Sequence, residues 1–316
     1  MNVSHAYGAP LSDDEAVALF RDAFDAGYRH FDTATLYGAG YNETLVGQAI
    51  KPFRHEIFLA SKCGNAIDPE TRVQLINGRP EVIKAQCDAS LKRLGVDHMD
   101  LYYLHRRDFA VPIEESVGAL GDLVKAGKIG GIGLSEVSAD TIRRAHAEHP
   151  LMAVQSEYSV WTRNVEIGVK SVCASLGIAL VAFSPVARGF LGNAVHALEA
   201  LDEKDIRRGM PRFQSPNFEA NLAWLGDYVA LAESLSLTPA QLAIAWLNAQ
   251  GEHVLPLPGT RQLSKATENL VAAQRALSVD EVAAVDQIVT PEVVKGPRYS
   301  PKQQATVDTE TFEYEA

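Results

Sequence analysis

The chain has 316 residues, 47% of them apolar, and a formal net charge of −11 from 40 acidic against 29 Lys and Arg side chains. That balance argues against nucleic acid as the main partner, because phosphate contacts need clustered cations, and the length suits one large core or two ordinary ones. No stretch reaches the roughly 20 consecutive apolar residues of a membrane helix, and the opening MNVSHAYGAPLSDD lacks the basic start and apolar run of a secretory signal, so neither a membrane partner nor export is expected.

Taken in order, helix-like and strand-like segments alternate from residue 13 to residue 274. DDEAVALFRDAFDAGY precedes RHFDTATLY, NETLVGQAIK precedes EIFLASK, and PEVIKAQCDASLKRLGV precedes DLYYLH. IEESVGALGDLVKAGK then precedes IGGIGLS, SADTIRRAHAEH precedes MAVQSEY, and EIGVKSVCASLG precedes IALVAFSP. PAQLAIAWLNAQG precedes EHVLPLPG, and LSKATENLVAAQRA is the last helix. The strand segments are short apolar runs; the helix segments place apolar residues three and four apart, as at Val17, Phe20, Ala23 and Phe24. Ser, Asp or Pro starts and Gly ends are the expected capping chemistry.

Alternation of this kind predicts a parallel sheet with right-handed crossovers. Eight helices and seven strands suggest an α/β fold of the (β/α)8 TIM-barrel type whose opening strand is missing. An open doubly wound sheet is the alternative. Its dinucleotide-binding form carries GxGxxG after an early strand, whereas Gly131-Ile132-Gly133 continues as Leu134-Ser135-Glu136 and lacks the third glycine. Barrel chemistry sits at the C-terminal strand ends, where Asp32, Lys62, His105, Ser135, Gln155 and Ser184 fall. Residues 188–221 break the rhythm with a long connection, expected to form a lid over those ends. Residues 301–316 form a polar, acidic tail expected to fray.

Asp32, Tyr37, Lys62 and His105 are the sharpest candidates. A phenol, an ammonium, a carboxylate and an imidazole that meet can deliver a proton to a carbonyl oxygen. Tyr37, five residues after Asp32, can turn back over the mouth as general acid, with Lys62 beside it and Asp32 holding Lys62. General acid catalysis contributes roughly 10²–10⁴ in rate. Singly, each has an ordinary explanation as packing, cap or solvated charge; the set on consecutive strand ends outweighs it. A second cluster, Gly259, Thr260, Arg261, Lys265, Glu268 and Asn269, opens the last helix. Free N–H groups and the dipole there favour phosphate, and Arg261 can fork onto phosphate oxygens or stack on a ring. Phe183 can lie under a flat ring. Cys63, Cys87 and Cys173 are odd in number and show no CxxC spacing, which fits free thiols in a reducing cytosol and a cytoplasmic protein. Neither they nor the nine histidines, His146 and His149 included, show metal-ligand spacing, so no metal is expected.

DTAxxYG, the strand-end Lys, LYYLHR, GLSE, QSEYS, AFSP followed by RGFL, and PGTR followed by EN together resemble the aldo-keto reductases. The likeness is strongest to a bacterial and plant branch with YYLHR, QSEYSxWTR and PRF motifs, and covers about residues 2–300 in order. The resemblance implies one barrel domain over residues 1–300 that binds NADPH without a Rossmann fold. It implies Tyr37 as proton donor to a small-molecule aldehyde or ketone, with Asp32, Lys62 and His105 completing a catalytic tetrad. Ser135 and Gln155 match positions that hold the nicotinamide carboxamide, and Phe183 the aromatic that stacks on it. Ser184, Arg188 and Gly189 match the pyrophosphate-side loop. Residues 259–269 match the adenosine 2′-phosphate region. Trp161 is expected in the substrate pocket. The family normally begins with a strand and a Gly-rich loop, whereas only MNVSHAYG stands before the first helix here. A barrel without that strand is expected to be less stable, and to bind NADPH more weakly, than one extended upstream. Two other readings stand beside a reductase. One is an NADPH-binding regulatory subunit with little turnover. The other is a Schiff-base enzyme using Lys62.

Overall fold

A computed structural model describes residues 3–4, 6–67, 70–71 and 73–315 of the chain. Seven strands form one parallel sheet: β1 (His30–Asp32), β2 (Phe58–Cys63), β5 (Leu101–Leu104), β6 (Ile132–Ser135), β7 (Leu151–Glu157), β8 (Ala179–Phe183) and β9 (Val254–Leu257), paired in that order. A short antiparallel hairpin, β3 (Asn65–Ile67) and β4 (Gln74–Ile76), follows β2 and was not expected from the sequence. The helices are α1 (Asp13–Asp25), α2 (Tyr41–Ile50), α3 (Pro80–Leu94), α4 (Ile113–Lys125), α5 (Ala139–Glu148), α6 (Val169–Leu176), α7 (Asn217–Ser234), α8 (Pro239–Asn248), α9 (Leu263–Ala272), α10 (Val279–Ile288) and α11 (Pro301–Gln304).

Capping sets several helix starts. Ser12 and Glu15 form a reciprocal capping box on α1, Thr238 and Gln241 on α8, and Ser278 and Glu281 on α10. Each satisfies donors that the first helical turn leaves open. One face of α1 then buries Ala16, Leu19, Phe20 and Ala23.

Strand alternation decides which side chains enter the barrel. Ala60, Leu101, Tyr103, Ala153 and Val181 form an inner cluster, packed by Ala179 and Leu257, while Tyr102 and Leu104 belong to the larger core beneath the helices. The Tyr103 ring needs the space left by its small neighbours. A Cβ on Gly133 would lie 2.2 Å from a ring carbon of Tyr103, closer than any contact allows. The second glycine of GIG therefore serves packing inside the barrel.

Among the described residues β1 and β9 are the two edges of the sheet, so it curls into a barrel short of one strand, as the strand count predicts. The outer layer nevertheless meets across that seam: the Tyr28 hydroxyl, just past α1, donates to the Ala266 carbonyl in α9 at 2.9 Å. No helix among the described residues is long and apolar enough to cross a membrane.

Three sequence expectations need correction. The 188–221 connection ends sooner, because α7 begins at Asn217 and buries Phe218, Asn221, Trp224, Leu225, Tyr228 and Ala232. Helices α7, α10 and α11 were not among the eight read from the sequence. The tail is docked rather than frayed: Glu315 accepts from buried Arg212 at 2.9 Å, and Asp308 accepts from Arg107, Ser138 and Thr141.

Candidate active site

Lys62, His105, Gln155 and Phe183 each stand two residues beyond an inner-cluster residue, so alternation keeps them on the inner face at the C-terminal strand ends. Asp32 is in register with Ala60 and reaches the same end. Tyr37 lies in the turn after β1, where Gly40 at φ 90° lets the chain reverse against the Arg93 guanidinium; a Cβ there would sit 2.7 Å from Arg93 Nε.

The four predicted side chains converge. Fully buried Lys62 makes an ion pair with Asp32 Oδ1 and donates to the Thr33 carbonyl at 2.8 Å. Its nitrogen is 5.2 Å from the Tyr37 ring centre. The Tyr37 and His105 rings meet edge to face, 6.0 Å between centres. Burial pulls the Lys62 pKa down, but Asp32 and Tyr37 outweigh it and hold the ammonium above its ordinary range. Burial likewise disfavours the Asp32 carboxylate, and the Lys62 charge overrides that, leaving its pKa lowered. His105 goes the other way: burial, then Arg106 and Lys62, push it well below the usual imidazole value. It is therefore neutral at pH 7, and its Nδ1 has no hydrogen-bond partner among the described residues. An ammonium held charged by Asp32 and the Thr33 carbonyl has no lone pair for a carbonyl, which argues against the Schiff-base reading.

The positions expected to face a nicotinamide are also gathered here. Gln155 Nε2 donates to Asp32 Oδ2 at 3.0 Å. Buried Ser135 accepts from Arg106 at 3.2 Å. Phe183 is half-buried, and Ser184 follows it in the left-handed region at φ 54°. Such backbone at a strand end is strain of the kind that clusters at functional sites. Arg188 departs from expectation: both its terminal nitrogens lie on Glu157, at 2.8 and 2.9 Å, and it also donates to Ser184. Its guanidinium is held by Glu157 and Ser184. Gly189 lies in the left-handed region at φ 92° beside Arg207, which holds the Arg188 carbonyl at 3.0 Å.

The second cluster gathers around the start of α9. Gly259 is exposed with open space around it, and Thr260 Oγ1 accepts from the Gln262 N–H at 3.1 Å. Arg261 donates to the Ala9 carbonyl. Lys265 is paired with Glu268 at 2.7 Å, and Asn269 is buried. Trp161 is a second departure. It is 4% exposed and packed on Phe190, Phe213 and Trp224 beneath Arg212, so it belongs to an interior aromatic cluster.

Sequence reasoning missed Glu136 and Glu157, one and two residues past Ser135 and Gln155. Both are buried. Glu136, at φ 54°, accepts from Arg298 at 3.1 Å and Thr309 at 2.9 Å. Arg298 keeps its carboxyl ionised below the ordinary range against the opposing effect of burial. Glu157 also accepts from the Tyr299 hydroxyl at 2.9 Å. Two carboxylates and two guanidiniums thus close a neutral cluster around the Tyr299 ring, which lies 5.0 Å from Arg298 and 5.8 Å from Arg188. The available signal was a carboxylate directly after a strand-end polar residue, in GLSE and QSE.

Residues 1–290 match the model of the Aldo/keto reductase family. A probable aldo-keto reductase 1 from Glycine max is 42% identical over 302 residues, covering 95% of this chain and 86% of that protein. The glycerol dehydrogenase structure from Gluconobacter oxydans superposes with a TM-score of 0.82 at 28% identity, over 90% of this chain and 89% of that one. An aldo-keto reductase from Klebsiella pneumoniae, solved with NADPH, gives 0.69 at 26% identity over 88% and 86%. Seven parallel strands curled into a barrel short of one strand agree with these likenesses, and the chain belongs to the aldo/keto reductase family.

Proposed function

We propose that the chain is an NADPH-dependent reductase of small aldehydes or ketones, with Tyr37 as general acid. The observation that carries this reading is the set of contacts around Lys62. Its ammonium is held charged by Asp32 and the Thr33 carbonyl 5.2 Å from the Tyr37 ring centre, so a positive charge stands beside the phenol and steadies the phenolate formed when Tyr37 gives up its proton. Neutral His105, edge-on to Tyr37, is placed to hold the carbonyl oxygen by hydrogen bonding.

The residues present suit NADPH. Ser135 and Gln155 offer a hydroxyl and an amide at adjacent strand ends, Phe183 offers a half-open flat face, and exposed Gly259 with Arg261 and Lys265 offers an approach for phosphate. When bound, that cofactor supplies the hydride. The connection from residue 188, pinned by Arg207 to the Arg188 carbonyl, is the segment that would cover the mouth. The buried free thiols of Cys63, Cys87 and Cys173 accord with a reducing, cytoplasmic setting.

Tyr37→Phe tests the assignment. Carbonyl reduction, followed by loss of NADPH absorbance over a panel of aldehydes, ketones and quinones, should fall by about 10²-fold or more, with NADPH affinity nearly unchanged. Retained turnover would reject Tyr37 as the acid. Tight NADPH binding by the unaltered protein without turnover on any carbonyl would favour the regulatory-subunit reading.

A further inference from the structure

We propose that residues 3–11 form a gate over the cofactor channel, with Tyr7 at its tip and the Ala9 carbonyl standing on Arg261 in the place of a phosphate, so that an arriving 2′-phosphate opens it. This rests on the NADPH reading above and adds the element that controls entry to the same site.

The segment is a loop with a closed base. The Leu11 N–H donates to the Val3 carbonyl at 3.1 Å, and the Val3 N–H donates to Asn42 Oδ1 at 3.0 Å. Val3 is fully buried, and Asn42 donates in turn to Thr33, just past β1, at 2.9 Å. Loops whose ends meet in this way are compact surface units. The base is thus anchored to the core, while the tip is held by other loops.

Those loops place the tip over the mouth. Ser4 lies against the turn that carries Tyr37: a Cβ on Gly38 would sit 2.8 Å from Ser4 Oγ. The Ala6 carbonyl accepts from the Ile206 N–H at 3.0 Å, the Arg207 guanidinium lies 5.4 Å from the Tyr7 ring centre, and the Ala9 carbonyl accepts from Arg261 at 2.6 Å. Tyr7 is half-buried, and the ionisable groups whose fields reach its hydroxyl are Arg188, Glu157, Arg207 and Tyr37. With the pyrophosphate read beside residues 188–189 and the nicotinamide beside Tyr37, the Tyr7 ring stands between the two.

The ties at the tip are replaceable. A guanidinium binds phosphate more strongly than a neutral carbonyl, because phosphate is charged and takes two parallel N–H bonds. A phosphate on Arg261 therefore takes the guanidinium from Ala9 and leaves the tip with one contact fewer. Ala6 at φ 83° and Gly8 at φ 76° flank Tyr7 in the left-handed region. For Ala6 that backbone is strained, and opening relieves it. Gly8 gives Arg261 its room, since a Cβ there would lie 3.4 Å from Arg261 Nη2.

Hydrogen exchange on the unaltered protein tests the gate without any turnover. Saturating 2′,5′-ADP, which carries the phosphate but no nicotinamide, should speed exchange of the Ile206 amide by about fivefold, the size of one lost hydrogen bond. The Leu11 amide at the loop base should stay unchanged, and 5′-AMP, which lacks the 2′-phosphate, should move neither. A strap that closes on its ligand has the opposite sign, so slower or unchanged exchange at Ile206 with 2′,5′-ADP would overturn the gate. Tyr7→Ala gives a second reading. Loss of the ring contact with Arg207 should raise the apparent NADPH affinity by about two- to fivefold, the size of one exposed cation–π contact. A lowered affinity would mean that Tyr7 holds the cofactor, and would overturn the gate. Normal carbonyl turnover with slowed Ile206 exchange sinks the gate and leaves the reductase reading standing. Faster Ile206 exchange with no carbonyl reduced does the reverse.

Discussion

Glu136 accepts the backbone N–H of Glu157 at 2.8 Å, so one buried carboxylate clips the end of the strand that carries the other. Arg298 is the cation that offsets Glu136. Breaking a buried pair from one side leaves an uncompensated charge and costs about 3–5 kcal/mol. Arg298→Met should lose about that much in urea unfolding, and Arg298→Met with Glu136→Gln should recover a substantial part of it. Equal losses in the single and double variants would show that the pair is not coupled.

Lys62→Met poses the same problem for Asp32, with a second readout. The single variant should lose about 3–5 kcal/mol of stability and about 10²-fold or more of its turnover. Adding Asp32→Asn should restore stability, because no charge is left stranded, without restoring turnover. Recovery of both together would mean that the pair serves only the fold.

Stability should vary with pH in separable stages. His105 and His30 have lowered pKa values, so the unfolded chain binds protons that the folded chain refuses, and stability falls as pH drops below about 6.5. Asp32 and Glu136 are also lowered. Their contribution is fully present above their unfolded values near about 4 and is lost as pH falls through the folded ones. Lys62 is raised, so its contribution holds below about 10.4 and is lost as pH rises through its folded value. Burial raises the Cys63, Cys87 and Cys173 thiols, so above about 8.5 the unfolded chain gives up protons that the folded chain keeps, and stability falls there too. Melting temperature against pH should show a plateau from about 7 to about 8.5, a decline above it and a two-stage acid decline. His105→Gln should shrink the first stage and leave the second.

Gly133→Ala should cost about 1–3 kcal/mol by overpacking, since the added methyl would enter the Tyr103 ring. In a Tyr103→Leu background the same change should cost much less. The same cost in both backgrounds, measured in a double-mutant cycle, would mean that another contact sets the limit.

The tetrad was legible because strand alternation is a local rule. Once Ala60, Tyr103 and Ala153 are placed inward, Lys62, His105 and Gln155 follow two residues later. Helix α7 carried a readable signal in Trp224, Leu225, Tyr228 and Ala232, but the Pro- and Gly-rich stretch before it hid the start. Other features were not legible from local pattern. Arg298 reaches Glu136 across 162 positions, Glu315 reaches Arg212 across 103, and nothing local distinguishes those side chains from solvated surface charges. Trp161 was misplaced for the same reason. Its aromatic neighbours come from distant segments, and only assembly shows that they enclose it.

The seam between β1 and β9 gives this molecule a preferred place to come apart. Among the described residues β1, three residues long, pairs on one side only; it carries Asp32, with Tyr37 in the turn just beyond it. Just past α1, the Tyr28 hydroxyl on the Ala266 carbonyl of α9 bridges that seam. Loosening it releases the edge strand first, while the remaining strands and their helices keep most of their partners. Such a protein loses its chemistry before it loses its shape. On heating, activity should decline at temperatures where circular dichroism still reports an intact fold.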